Sequence, residues 1–384
     1  MKLKIEAGKL SEVLKRAKPF VGDQRADNRF RFVELSASKK GVEVRAYDSI
    51  CFFKSRVEAD ITEEGKVAVE FGTLFAVLGS FAADAIMSLS SADKFVTLQS
   101  SGGGEKNVSK ISTAPEWFDY PVVKLSKMAE LTAEEFRDIV KRTLVATSLD
   151  AFQSLFQGMN FYFEKGRLTV TATNYKMIVQ GVFEDKRFKG LDFSFTVGGK
   201  QLESLMKAMG DDSAVKFGKV KTGKNEQIYF KTDSISVLMV MLPEKDPDGK
   251  TFLSLMGKAK EKMESKKAKK QVFEFDRERL STILSVLRTI DEKNKLVSVK
   301  NDGDKMILKG EQDAKGVVEH TFTIGKKLDG FEFLVNGETM QQIIDAVFYT
   351  EDIVRFTFRD SILALEVTGD GSKEFECLFP PIRI

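Results

Sequence analysis

A threefold repeat of paired helical patterns constrains the fold of this chain more than any other feature. Each helix carries apolar residues at positions i, i+3, i+4 and usually i+7, the stripe of an amphipathic helix. The stripes begin at Leu10, Phe136 and Leu280 in the first helices of the pairs, and at Leu74, Leu202 and Met340 in the second helices. Within each pair the second stripe begins about 60–66 residues after the first. Three such coincidences predict a repeated unit.

Alternating strands joined by glycine-containing turns lie between the helices of each pair. The turns are Lys40-Gly41, Lys165-Gly166 and Asp302-Gly303. Thr132 and Glu135 form a capping-box pattern before one helix, and Asp276 can cap another. The unit is therefore helix, strands, helix, strands. We expect an α+β fold of three repeated domains, each with two helices packed on antiparallel sheets.

The predicted domains cover residues 1–125, 126–250 and 272–384, with a lysine-rich linker at residues 251–271. The linker contains the segment KAKEKMESKKAKK, which has no hydrophobic stripe. This composition is typical of a solvated or helical linker, and an arm that contacts phosphate is the alternative.

Composition excludes most familiar active sites. The only cysteines, Cys51 and Cys377, cannot form a disulfide framework or a thiolate-rich zinc site. The single histidine, His320, lies in an alternating strand pattern, which favours a structural role. No apolar run approaches the ~18 residues of a membrane span. We therefore expect a cytoplasmic protein that is not an enzyme and has no cofactor, metal or membrane partner.

The positions of the charged residues are more informative than their sum. The 60 basic and 57 acidic residues give a net charge of only +3, which alone does not indicate nucleic-acid binding. The polar faces of several predicted helices are nevertheless basic, as at Arg137, Lys141 and Arg142, and at Lys200 and Lys207. Three similar domains can form an arc, or a ring if a dimer closes head to tail. Basic helices around such a ring would give weak, sequence-independent phosphate contacts, and ordinary solvated helix faces are the alternative.

Several segments, in this order, resemble the bacterial DNA polymerase III beta subunit, the ring-shaped sliding clamp. The segment TVTATNYKMIV is similar to the family's VATDGHRLA strand, and FTVGGKQLESLMKAM to its PRKGLKEL helix start. The segment FLVNGETMQQIIDAV resembles the last helix of the third domain, and the terminal FPPIRI resembles MPMRL. The resemblance extends over nearly the whole chain, and a diverged or phage-encoded member would fit the departures from the family pattern.

The resemblance implies a head-to-tail homodimeric ring of six similar domains around duplex DNA, which tethers a polymerase without catalysing a reaction. It implies that the polymerase and the clamp loader bind through short peptides in an apolar pocket. The matching pocket positions are Phe156, Thr173, Tyr175, Met177, Leu378, Pro380, Pro381, Ile382 and Arg383. Tyr175 replaces or displaces the family's glycine, so the preferred peptide is expected to differ. Apolar packing at a domain junction is the alternative reading of these residues.

The resemblance also implies DNA contacts and a dimer interface. Arg25 matches a basic residue at the channel rim, and Lys200 matches a basic residue at a helix start. Ile283 and Leu284 match an apolar interface pair, and Ile111 lies on the edge strand expected to face them. All three could equally be core residues. A repeat-built peptide-binding scaffold that does not encircle DNA is the alternative function.

Overall fold

The structure is a computed structural model that describes residues 1–22, 27–92, 94–102, 105–114, 117–123, 127–148, 154–174, 176–223, 225–243, 250–264, 270–291, 293–359, 364–370 and 374–382. The described chain forms two compact units. Unit 1 comprises residues 1–136 and 200–241, and unit 2 comprises residues 137–199 and 242–384. The division into three domains stays a prediction.

Seven α-helices are present in the described residues. They are α1 (Ala7–Ala17), α2 (Phe71–Leu78), α3 (Ala133–Leu144), α4 (Gly199–Met209), α5 (Thr251–Glu264), α6 (Arg277–Ile290) and α7 (Gly337–Gln342). A π-helical turn, Ile343–Val347, continues α7. All six helices predicted from the stripes are confirmed, and α5 lies in the segment expected to be a solvated or helical linker.

One antiparallel sheet of thirteen strands belongs to unit 1. Its first nine strands are β1 (Lys2–Glu6), β2 (Phe32–Ser38), β3 (Gly41–Tyr47), β4 (Cys51–Val57), β5 (Asp60–Glu63), β6 (Gly65–Glu70), β7 (Ile86–Ala92), β8 (Phe95–Gly102) and β9 (Glu105–Ala114). The others are β10 (Ala129–Thr132), β15 (Ala214–Thr222), β16 (Asn225–Lys231) and β17 (Ile235–Val240). Their order is β10-β15-β16-β17-β4-β3-β2-β6-β9-β8-β7-β1-β5.

Unit 2 contains an antiparallel sheet of eight strands and another of four. The first has the order β14-β11-β12-β13-β25-β24-β23-β18, and the second β21-β20-β19-β22. The strands of the first are β11 (Gly158–Glu164), β12 (Arg167–Thr173), β13 (Ile178–Glu184), β14 (Phe193–Gly198), β18 (Lys270–Asp276), β23 (Ile353–Arg359), β24 (Ala364–Gly369) and β25 (Phe375–Phe379). Those of the second are β19 (Leu296–Asp302), β20 (Lys305–Gln312), β21 (Gly316–Thr323) and β22 (Phe331–Asn336).

The apolar stripes of the helices form much of the core, as the sequence predicts. Leu10 and Leu14 of α1, Phe136 of α3 and Leu284 of α6 are all buried. In unit 1 the Phe136 ring contacts Phe230 at a centroid distance of 6.0 Å. Burying these large side chains away from water is the main favourable term for each helix, because helices this short are marginal on their own. The prediction of mixed helices and antiparallel sheets is confirmed.

The capping box predicted before α3 is present and gives a test of local stability. The Glu135 amide donates to Thr132 Oγ1 at 3.1 Å, and the Thr132 amide donates to Glu135 Oε2 at 2.7 Å. We expect Thr132→Ala to lower the free energy of unfolding by about 1 kcal/mol, because a helix amide loses its acceptor. Thr132→Ser keeps the hydroxyl and should stay close to the unsubstituted protein. Urea denaturation measures both, and equal midpoints for the two variants would contradict this account.

Candidate peptide-binding site and basic helix surfaces

Strand register places several of the predicted pocket residues side by side in unit 2. Thr173 of β12 is paired with Ile178 of β13, and Ile178 is paired with Leu378 of β25. Directly opposite residues of antiparallel strands present their side chains on the same face. Thr173 and Leu378, more than 200 residues apart in sequence, therefore flank Ile178 on one surface. We call this surface, with the residues in register along β11, β12, β13, β25 and β24, the groove face.

The turn between β12 and β13 is held by its own hydrogen bonds. Thr173 Oγ1 donates to the Met177 carbonyl at 2.8 Å. Asn174 Oδ1 accepts from the amides of Lys176 and Met177, each at 3.1 Å. Thr173 and Met177 are both buried. Tyr175, predicted to shape the pocket, lies outside the described residues.

The C-terminal residues predicted to form the pocket rim differ in exposure. Pro381 is buried, whereas Pro380 and Ile382 are exposed. Ile382 forms an isolated bridge with Leu334, in which its amide donates to the Leu334 carbonyl at 2.7 Å. The backbone thus fixes the position of Ile382 while its side chain is 44% exposed. Arg383 lies outside the described residues.

Helix α5 lies on the groove face, and sequence analysis missed this contact. Its Phe252 ring meets the ring of the half-buried Phe156 at a centroid distance of 6.5 Å. Met256 packs with Leu378, Ile178 and its own neighbour Ala259. Phe252, Met256 and Ala259 have the i, i+4, i+7 spacing of a helix stripe, which was the available signal. It begins before the lysine-rich segment KAKEKMESKKAKK and was not recognised.

A charged contact lies further along α5. Lys260 Nζ forms an ion pair with Glu376 of β25. Glu366 of β24 is paired with Leu378 and belongs to the same face. Burial raises the pKa of the Glu366 carboxyl, and the nearby Glu376 raises it further while Lys260 opposes the shift. The groove face therefore has an apolar part at Leu378 and an acidic part at Glu366 and Glu376.

The groove face also contains polar residues that are buried. Asn160, Thr171 and Gln180 are aligned across β11, β12 and β13, and each is less than 9% exposed. Gln180 Nε2 donates to Thr171 Oγ1 at 3.0 Å, and Asn160 Nδ2 donates to Thr196 Oγ1 at 3.1 Å. Threonine, glutamine and asparagine in register are typical of a sheet face that can meet water.

Two predicted DNA-binding lysines share one face of α4. Lys200 lies in the first turn and Lys207 in the last, and both are exposed. Seven residues correspond to about two helical turns and a rise of about 10 Å. The positive end of the helix dipole lies beside Lys200, so a phosphate there would meet both charges. Arg25 lies outside the described residues.

Lys141 and Arg142 are adjacent on α3 but have different environments. Lys141 is exposed, with Nζ 4.1 Å from the centroid of the Tyr349 ring. Arg142 is 5% exposed, and its guanidinium donates to the Val347 carbonyl at 2.6 Å and to Thr350 Oγ1 at 2.8 Å. It also forms an ion pair with Asp138 at 2.9 Å. These bonds join α3 to the π-helical turn that continues α7 and to Thr350 beyond it, and they occupy the Arg142 guanidinium that the sequence predicts to contact DNA.

The three predicted interface residues are buried within the single chain. Ile111, Ile283 and Leu284 are at most 6% exposed, which favours the core alternative for their side chains. The strand edges nearby are more informative. β9 pairs with β8 along its length but with β6 only at residues 113 and 114, and β21 pairs only with β20 among the described strands. β21, and β9 up to residue 112, therefore present an edge with no partner strand among the described residues.

Solved structures share this architecture over the whole chain. The DNA polymerase sliding clamp from Bacillus subtilis matches with a TM-score of 0.87 at 14% identity, covering 100% of this chain and 99% of that one. The DNA polymerase III beta subunit from Pseudomonas aeruginosa matches with a TM-score of 0.85 at 17% identity, covering 100% of both. The chain has the fold of the bacterial beta sliding clamps.

The sequence comparison agrees with the fold. A beta sliding clamp from Halalkalibacterium halodurans is 23% identical over an alignment of 364 residues that covers 91% of this chain and 91% of that one. No protein-family model matches the chain. The resemblance to sliding clamps inferred from the sequence is thus confirmed over almost the full length.

The described residues contain neither a candidate membrane span nor a candidate metal site. No helix there has both the length and the apolar character that a membrane crossing requires. No group of three or more histidine, cysteine or acidic side chains there is arranged to hold a metal ion. His320 lies on β21, in agreement with the predicted strand.

The burial of Arg142 predicts a large effect on stability. We expect Arg142→Ala to lower the free energy of unfolding by about 3 kcal/mol, because the buried Glu351 loses an ion-pair partner and the Val347 carbonyl loses a charged donor. The neighbouring Lys141→Ala is the matched control and should change it by no more than about 0.5 kcal/mol. Urea denaturation of the two variants checks this, and similar losses for both would contradict a structural role for Arg142.

Proposed function

We propose that this chain is a DNA sliding clamp, a processivity factor that encircles duplex DNA and tethers a replicative polymerase. The observation that carries the proposal is the extent of the likeness to sliding clamps, which covers at least 99% of both chains in the structural comparisons. A protein that shared only one domain with a clamp would leave part of a clamp unmatched. The scaffold alternative has no specific observation in its favour.

The proposed assembly is a head-to-tail homodimeric ring of six domains, three from each chain as predicted from the repeat. The exposed edges of β9 and β21 support this assembly. Pairing β9 of one protomer with β21 of its partner would satisfy backbone groups and cover two edges that otherwise invite aggregation. A heterologous contact of this kind closes into a ring when the rotation permits it. The interface would then depend on strand pairing more than on Ile111, Ile283 and Leu284.

The proposed DNA contacts are electrostatic and independent of sequence. Lys141, Lys200 and Lys207 are exposed on helices, and the resemblance to sliding clamps adds Arg25. A few lysines give weak phosphate contacts that depend on salt concentration. Topology then supplies the stable association, because a closed ring cannot leave DNA sideways and can still slide. The chain itself catalyses no reaction in this role and needs no cofactor.

The proposed partners are a polymerase and a clamp loader in the cytoplasm, each bound through a short peptide at the groove face. Thr173, Ile178 and Leu378 would form the floor of the site, with Met177 at the turn and Pro380, Pro381 and Ile382 at the rim. Apolar anchors of a peptide would contact Leu378 and Ile178, as peptide-binding grooves commonly use a few such anchors. Tyr175 and Arg383 complete the proposed set.

Retention on DNA tests the encircling function. We expect the protein, loaded onto nicked circular DNA, to stay bound at raised salt and to leave once the DNA is cut to a linear form. Filtration of the protein–DNA complex before and after cutting measures this. Equal loss from circular and linear DNA would overturn the proposal. Light scattering should give a mass twice the 43.0 kDa of one chain, and a monomer at micromolar concentration would also contradict it.

Removal of the C-terminal rim tests the peptide site separately. We expect loss of residues 380–384, or Ile382→Ala, to abolish stimulation of the polymerase while the protein remains on circular DNA. The Ile382 side chain is exposed, so its truncation should cost little stability. Leu334 contacts Ile382 through the backbone, and Leu334→Ala serves as a nearby control. Unchanged stimulation in the Ile382 variant would refute the assigned rim.

A further inference from the structure

Helix α5 occupies the site at which a partner peptide would bind. Its residues Phe252 and Met256 are 0% and 2% exposed. Phe252 contacts Phe156, and Met256 packs on Leu378 and Ile178. Phe156 and Leu378 are pocket positions implied by the resemblance to sliding clamps. The chain thus places its own apolar side chains where those of a partner would be placed.

The surface beneath α5 differs from an ordinary protein core. Thr169, Thr171 and Gln180 are each less than 9% exposed, yet all three are polar residues of the groove face. Gln180 Nε2 donates a hydrogen bond to Thr171 Oγ1. Such a face can be rehydrated at modest cost when its cover leaves, unlike a face of leucine and phenylalanine. α5 therefore lies on a surface from which it could be displaced by another helix or peptide.

The charges at the groove define the chemistry of that occupant. Lys260 follows Met256 by four residues, which is about one helical turn, and pairs with Glu376. Glu366 lies on the same face, and the Lys260 charge acts on both carboxyls. An occupant that binds as α5 does would combine two apolar anchors with a basic residue one turn after the second anchor.

We propose that α5 is an intramolecular occupant of the groove face, and that a partner peptide with apolar anchors and a basic residue binds by displacing it. This inference rests on the proposed function for the identity of the partner, a clamp-binding protein. A partner peptide can bind only the molecules whose groove is open, so its apparent Kd equals the intrinsic Kd divided by the fraction of open molecules. The clamp would then select partners whose peptides compete with α5.

Direct binding of a defined probe tests the proposal. The probe is a fluorescein-labelled synthetic peptide of residues 250–264, and fluorescence anisotropy measures its Kd. We expect the double variant Phe252→Ala/Met256→Ala to bind the probe at least tenfold more tightly than the unsubstituted protein, because the competing helix no longer covers the groove. The matched control, Ser254→Ala/Lys258→Ala, changes two exposed positions of the same helix and should bind like the unsubstituted protein.

A charge reversal tests the chemistry of the groove. A probe with Lys260→Glu should bind the double variant about threefold more weakly than the original probe. Adding Glu376→Lys to the double variant should reverse this preference. If charge reversal has no effect on either protein, the acidic part of the groove does not select the peptide, and that part of the proposal is overturned.

Hydrogen exchange of the unsubstituted protein keeps the proposal testable if the double variant does not fold. We expect amides of α5 to exchange at least tenfold faster than amides of α6, because α5 opens without global unfolding. Equal protection of the two helices would make α5 a permanent element and overturn the proposal, as would a Kd that is the same for the double variant and the unsubstituted protein.

Retention of the double variant on nicked circular DNA separates this inference from the proposed function. Tighter probe binding with normal retention supports both. Tighter binding without retention by either protein supports the occupied groove and refutes the clamp. Normal retention without tighter binding supports the clamp and refutes the role of α5.

Discussion

The antiparallel pairing of β13 with β25 is the contact on which the candidate site depends. It joins a strand from the middle of the chain to a strand near its C-terminus and makes the eight-stranded sheet of unit 2 continuous. Ile178 is held opposite Leu378, and Gln180 opposite Glu376. A shift of one residue would turn Leu378 and Glu376 to the other face. The apolar and acidic parts of the groove therefore form only in this register. The residues that make them come from separate segments of the chain, so no single local sequence motif contains them all.

Local patterns in the sequence predicted the helices well, because the burial of a helix stripe is decided within about three turns. The stripes at Leu10, Phe136 and Leu280 became buried helix faces, and the capping box at Thr132 formed. The register between β13 and β25 could not be predicted in this way, because it depends on contacts between distant segments. The resemblance to sliding clamps supplied the candidate pocket positions, which local patterns could not. It did not supply α5, since the helix stripe there is short and a run of lysines follows it.

The environment of Arg142 shows that a pattern of basic residues in the sequence does not determine which of them are exposed. Lys141 and Arg142 are equivalent in a list of basic residues, yet they are about 100° apart around the helix. One side chain meets solvent, and the other donates to Val347 and Thr350 inside unit 2. Arg16 is likewise engaged, with Glu12 and Asp212. Arginine with several donors is favoured at such buried junctions, while lysine remains at the surface. The candidate phosphate contacts that remain on the described helices, Lys141, Lys200 and Lys207, are all lysines, and weak contacts of this kind would suit the proposed sliding on DNA.

The two proposed ligands of this protein make opposite demands on its surface. DNA must slide, so its contacts should be weak, similar at every position and supported by ring closure. A partner peptide must be chosen from many candidates, so its contacts should be local and discriminating. A groove that α5 already fills discriminates between peptides. A peptide that displaces α5 must bury apolar side chains in place of Phe252 and Met256 and must form an ion pair in place of that of Lys260, and only contacts beyond these give net affinity. Peptides that offer apolar anchors without the basic residue would replace only part of what α5 supplies. Helix α5, in the segment predicted to be a linker, would thereby set the threshold for partner binding.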